Sequence, residues 1–140
     1  MKPLLIPCIW LDKCAKEAAE FYCSVFPGSM ILDENPMVVT FVINGSHFMT
    51  LNDGDRSKLN DSVSFVINCE TQAEINYFWE KLTDGGEESM CGWLKDKFGV
   101  SWQVVPWNIG ELLCDPDRSE RIMKVVLNMR KLDLDAINNA

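Results

Sequence analysis

The sequence predicts an α+β protein made of two βαβββ modules followed by a C-terminal helical extension. Three observations lead there. Apolar residues recur at helical spacing in three places, short runs rich in Val, Ile, Phe and Trp lie between them, and landmarks of the first half return in the second at one fixed distance.

The opening MKPLLIPCIWLDK has one Lys and an apolar run, but Pro3 and Pro7 interrupt it and no small-residue cleavage site follows. It reads as a first strand, Leu4 to Leu11, rather than a leader. Ala15, Ala18, Ala19, Tyr22 and Phe26 then fall on one helical face, and Pro27-Gly28 stops the pattern. Strands follow at Met37 to Ile43 and His47 to Leu51, joined by the tight turn Asn44-Gly45. After the break at Asp53-Gly54-Asp55 comes a strand from Val63 to Cys69. Ile75, Phe78, Trp79 and Leu82 mark a second helix, opened by a capping box of Thr71 and Glu74 and closed by Gly85-Gly86. Ser101 to Val105 is a closing strand, and Ile122, Val125, Val126 and Met129 make a third helix, begun by Asp117 with Glu120 three residues on.

A shift of 58 residues takes Asp12 to Glu70, Phe21 to Trp79 and Gly28 to Gly86. One βαβββ unit leaves a sheet face bare, and a second copy gives it something to cover. The expected organisation is one domain over 1–140: module one at about 3–55, module two at about 60–107, and the helical extension at about 110–140.

Composition narrows the function. The apolar fraction of 47% and charged fraction of 24% are those of a globular protein, and no apolar run nears the roughly 18 residues of a membrane span. The net charge of −8 opposes phosphate-backbone binding, and Lys95 and Lys97 around Asp96 are too few to reverse it. Nucleic acid and membrane are therefore not expected partners. Six cysteines form no CxxC and there is one His, so zinc-ligand spacing is absent. A reducing cytoplasm with free, apolar-packed thiols is the expected setting.

LDKCAKEAAEFYCSVFPGS, FMTLNDGD, SVSFVINCETQAEINYFWEKL and CGWLKDKFGVSWQVVP together resemble the PhnB-like branch of the vicinal oxygen chelate superfamily, the glyoxalase and bleomycin-resistance fold, over about residues 4–130. Members of this branch often carry the label 3-demethylubiquinone-9 3-methyltransferase. The resemblance implies paired βαβββ modules forming a curled mixed sheet around a cavity, a homodimer, and in the metal enzymes one ligand from each of four strands. Carried onto this chain, those positions are Leu5 or Pro7, Asn52, Ser64 (or Ser62 on the same face) and Gln103. They supply an apolar residue, an amide, a hydroxyl and an amide, which are poor ligands for a divalent transition metal. His47 sits beside a turn with a strand parity different from that of Asn52, so it does not repair the set. No metal and no other cofactor is expected.

Without a metal, the cavity remains. Phe48, Thr50 and Asn52 share one strand face, Ser62, Ser64, Val66 and Asn68 another, and Ser101, Gln103 and Val105 a third. Two readings stand. In one, these faces line a pocket for a small organic molecule, with Asn52, Ser64 and Gln103 orienting the ligand and Phe48 and Trp93 giving apolar contact. In the other, the polar residues bond one another in a filled barrel.

Cys91, next to Gly92 and Trp93, has no His nearby to activate it, so packing is its expected role. Glu17 and Glu20 fall on a solvated helix face, and nothing places Glu87 and Glu88. The surplus apolar surface of the third helix fits a share in a dimer interface. Metal-free small-molecule binding is the expected function. A divalent-metal-dependent lyase, isomerase or dioxygenase, using His47 or Asp53–Asp55, is the alternative. Methyl transfer is third, since no Gly-rich loop for a nucleotide-like donor follows a strand.

Overall fold

The computed structural model describes residues 2–140, and the chain divides into two compact units, Met1–Leu59 and Asn60–Ala140. In the first unit, β1 (Cys8–Leu11) leads into α1 (Ala15–Val25), then β2 (Ser29–Glu34), β3 (Val38–Ile43) and β4 (Ser46–Asn52). The second unit repeats this as β5 (Ser64–Cys69), α2 (Gln72–Thr83), β6 (Glu87–Glu88), β7 (Trp93–Lys95) and β8 (Ser101–Pro106), then adds α3 (Ile109–Cys114), α4 (Ser119–Leu127) and α5 (Leu134–Asn138). Each unit holds its own four-stranded mixed sheet, in the orders β1-β4-β3-β2 and β5-β8-β7-β6. The first and last strands of each module run parallel and the rest antiparallel. Two copies of one βαβββ topology are therefore present, and the α+β expectation holds.

The 58-residue shift is visible in the ladders. It carries Leu11, paired with Asn52, onto Cys69, paired with Pro106, and Cys8, paired with Met49, onto Val66, paired with Gln103.

Local chemistry explains most boundaries. β1 begins later than its apolar run because Pro7 has no N–H for the ladder, although its carbonyl still accepts from Met49 N; Leu4 and Leu5 lie exposed ahead of it. Asn44 and Gly45 take φ of 46° and 86°, the positive pair that a two-residue hairpin requires. Thr71 caps α2 by accepting from Glu74 N at 3.1 Å. Gly86 does more than stop the helix: a Cβ there would run into the Lys95 carbonyl as β6 approaches β7. The third predicted helix is α4, but Arg118 rather than Asp117 occupies its N-cap position, and it makes no side-chain cap.

One core lies under each helix. In the first unit Ala15, Ala18, Ala19, Tyr22 and Val25 of α1 are buried with Ile9, Leu11, Val39 and Phe41, and the Phe41 ring stacks on Tyr22 and on Phe48. In the second, Ile75, Trp79 and Leu82 of α2 are buried with Leu94, Trp102 and Val104. The C-terminal helices build a further cluster of Ile122, Val126, Leu132 and Ile137 around Val105. Two clamps fix it. Gln72 donates to Leu132 O and accepts from Leu134 N, and the Arg118 guanidinium donates to the carbonyls of Ile137, Asn138 and Ala140.

Candidate functional site

Strand parity separates the five predicted ligand-binding residues into two groups, each within its own unit. Phe48 and Asn52 lie on the face of the first sheet that α1 covers. Phe48 stacks on Phe41, with ring centroids 5.7 Å apart. Thr50 between them is fully buried and donates to Ala15 O at 2.8 Å. Asn52 Oδ1 accepts from Ala15 N at 2.9 Å, and its Nδ2 donates to Pro36 O at 3.1 Å. Cys14, at the N-cap of α1, makes no side-chain cap, so Asn52 supplies from β4 the acceptor that the helix start lacks. Both ends of this amide are occupied by backbone.

Ser64 and Gln103 stand on the other kind of face. Trp102, Val104 and Leu94 fill the α2 side of the second sheet, so Ser64, Val66, Ser101, Gln103, Trp93 and Lys95 share the side turned away from it. Gln103 Nε2 donates to Ser64 Oγ at 2.9 Å, and Trp93 lies directly across from Gln103. All three are half-buried, and Val66 is 52% exposed. Ser64, Trp93 and Gln103 thus come together, while Phe48 and Asn52 belong to the packing under α1. In strand register the counterpart of Gln103 in the first module is Met49, three residues before Asn52.

The four positions that the superfamily pattern assigns to a metal do not fit one. Leu5 and Pro7 have no donor side chain, Asn52 is spent on backbone, and Ser64 and Gln103 are neutral and bonded to each other. Asp53 pairs with Arg56 at 3.0 Å, and His47 lies opposite Val42 on the face away from Phe48. Among the described residues no three His, Cys, Asp or Glu side chains gather as a metal site.

Two polar features have no mark in the sequence: the burial of Asp96 and the partnerless hydroxyl of Ser101. Asp96 is 3% exposed and accepts from Phe98 N, Val100 N and Trp102 Nε1 at 2.8, 3.1 and 2.9 Å, tying the β7–β8 turn to the core. Its place between two lysines hid this, because charged flanks read as surface. Ser101 is 2% exposed, and its Oγ has no partner among the described residues. A buried hydroxyl left alone costs about 1–3 kcal/mol, so this one stands ready for an acceptor.

All six cysteines are free thiols. Burial pushes Cys69 up to about 12, with Glu74 adding to the shift, and raises Cys8 and Cys23 as well. Cys91 takes a φ of 63°, donates its N–H to Met129 O and packs on the C-terminal cluster. A groove of about 690 Å3 runs along α2, where Glu88 accepts from Trp79 Nε1 and pairs with Arg130; it lies on the α2 side of the sheet, away from Gln103.

The family model described as 3-demethylubiquinone-9 3-methyltransferase matches residues 3–105, which span both modules. The chain belongs to that family. It is the PhnB-like branch of the vicinal oxygen chelate superfamily, and the solved structures agree. A PhnB protein from Bacillus cereus is 28% identical, covers 74% of this chain and 99% of its own, and superposes with a TM-score of 0.68. A Pseudomonas aeruginosa protein is 18% identical over 74% of this chain and 96% of its own, with a TM-score of 0.64. The fosfomycin resistance protein FosX of Listeria monocytogenes, solved with Mn(II) and sulfate, is 13% identical over 81% of this chain and 96% of its own, with a TM-score of 0.58. The last two share the fold. No curated protein matches. In this chain the face of the second sheet away from α2 bears Ser64, Ser101, Gln103 and Lys95.

Proposed function

We propose that the protein binds a small organic molecule on the Ser64–Gln103 face of module two, without a metal. One observation carries this reading: a half-buried amide and hydroxyl, bonded to each other, occupy positions where the superfamily pattern would put metal ligands. Such a pair orients a ligand by hydrogen bonds, and Trp93 and Val66 beside it offer apolar contact. Phe48 and Asn52 take no part, because each is committed under α1.

The family carries the description of a methyltransferase, but the residues of this chain do not favour methyl transfer. The strand-to-helix turns Asp12-Lys13-Cys14 and Glu70-Thr71 contain no glycine to cradle a nucleotide-like donor. A cytoplasmic homodimer is the proposed state, in keeping with free thiols and with exposed Met123 and Leu127 on α4. No described helix is long and apolar enough to cross a membrane.

The test is a ligand screen by protein-observed NMR on chelator-treated protein. Binding that shifts Trp93 and Gln103 resonances and is unchanged by added Mn2+ supports the reading. Binding that appears only with the metal overturns it.

A further inference from the structure

We infer that the ligand is an organic acid whose carboxylate or phosphate-type oxyanion sits between Lys95 and Ser101. The inference rests on the small-molecule reading above and names the chemical class of its ligand. Its starting point is the register of β8, which has β5 on one side and β7 on the other. Ser101 pairs with Ser64 and with Lys95, so two hydroxyls and an ammonium form one row across three strands on the face away from α2. The next row is Val66, Gln103 and Trp93.

Donors dominate the first row. Ser101 Oγ is buried and has no partner among the described residues. Ser64 Oγ accepts from Gln103 Nε2 and keeps its own proton to donate. Lys95 is half-buried and forms no ion pair among the described residues. Glu87, across from Lys95 on β6, is exposed and is not paired with it. A neutral carbonyl has lone pairs for two donors and no charge for the ammonium, whereas an oxyanion has lone pairs for all three and a charge for the ammonium. An apolar body extending from it would lie along Val66 and Trp93, and Gln103 Oε1 remains to accept from a ligand hydroxyl or amide. The chain's net charge of −8 opposes anions at long range, but salt screens that beyond about 10 Å, leaving the local row to decide.

Benzoate and benzamide, alike in size and different in charge, separate the possibilities when titrated into 15N-labelled protein at pH 7. The expected result is saturable benzoate shifts at Lys95, Ser101, Gln103 and the Trp93 indole, with benzamide at least tenfold weaker. Lys95→Met and Ser101→Ala, each checked for an unchanged fold by its remaining spectrum, should weaken benzoate about tenfold. Equal binding of both probes at these residues overturns the oxyanion assignment and leaves the small-molecule site standing. Absence of binding by either probe, or benzoate shifts confined to other surfaces, overturns both.

Discussion

In module one, the polar side chains of the last strand turn toward the helix: Thr50 donates to Ala15 O, and Asn52 closes the start of α1. In module two, the last strand turns Trp102 and Val104 toward the helix and keeps Ser101 and Gln103 for the opposite face. The topology and the strand parity are the same; what differs is which face of the strand carries the polar residues. A strand offers one set of alternate residues to the core and the other to whatever lies beyond, so a shift of one residue in where polarity falls converts a structural amide into an available one. Two sheets of equivalent topology are present; in the second, a bonded hydroxyl and amide stand on the outer face, where the first has Cys8 and Met49 in the Gln103 row.

Substitutions can break this contrast, and the largest effects belong to the packed side. Phe41→Ala, which empties the stack between Tyr22 and Phe48, should lower stability by about 3–5 kcal/mol in urea unfolding. Asp96→Ala leaves Trp102 Nε1 and two backbone N–H groups buried without an acceptor and should cost about 3 kcal/mol. Asn52→Ala removes the acceptor at the start of α1 and should cost about 1–2 kcal/mol. Gln103→Leu is the sharpening partner of that experiment: it should change stability by less than about 1 kcal/mol, because it breaks one half-exposed bond to Ser64. If Asn52 and Gln103 exchanged these values, the inward and outward assignments would be wrong.

Thiol chemistry gives a smaller readout. Cys69 is held protonated up to about 12 against an ordinary 9.0, so it binds its proton in the folded chain where the unfolded chain has lost it. Its contribution is therefore flat below pH 9 and turns against folding as pH climbs from there toward 12. At pH 8, alkylation followed by mass spectrometry should modify exposed Cys114 first and reach Cys69 only on unfolding.

The fold was legible because both helices carry clear apolar stripes and the repeat fixes what each segment must be. Elements too short or too mixed in polarity to show a period stayed hidden, β7 (WLK) and α3 (IGELLC) among them. β2 holds Asp33 and Glu34, β6 is Glu87-Glu88, and α5 is five residues whose one buried side chain is Ile137. At the site, Ser64, Gln103 and Trp93 could be placed together because alternation along β8 is unambiguous and the resemblance marked Gln103. Phe48 and Asn52 misaligned because the landmarks of module one count forward from its helix. The strands β2 and β3 are longer than β6 and β7, so the offset between the modules changes before the last strand, and only the β1–β4 ladder shows that Met49 matches Gln103. Alternation places Ser101 on the Gln103 face, but its missing partner and the burial of Asp96 leave no trace in residue spacing.

Native mass spectrometry of freshly purified protein, with the denatured mass as reference, tests most directly whether the outer face of module two works without a divalent ion. The account predicts subunits at the apo mass, alone or with a small organic adduct that Lys95→Met loses. One divalent ion per chain, removed by a chelator together with ligand binding, would contradict it and mark the protein as a metal enzyme of its superfamily.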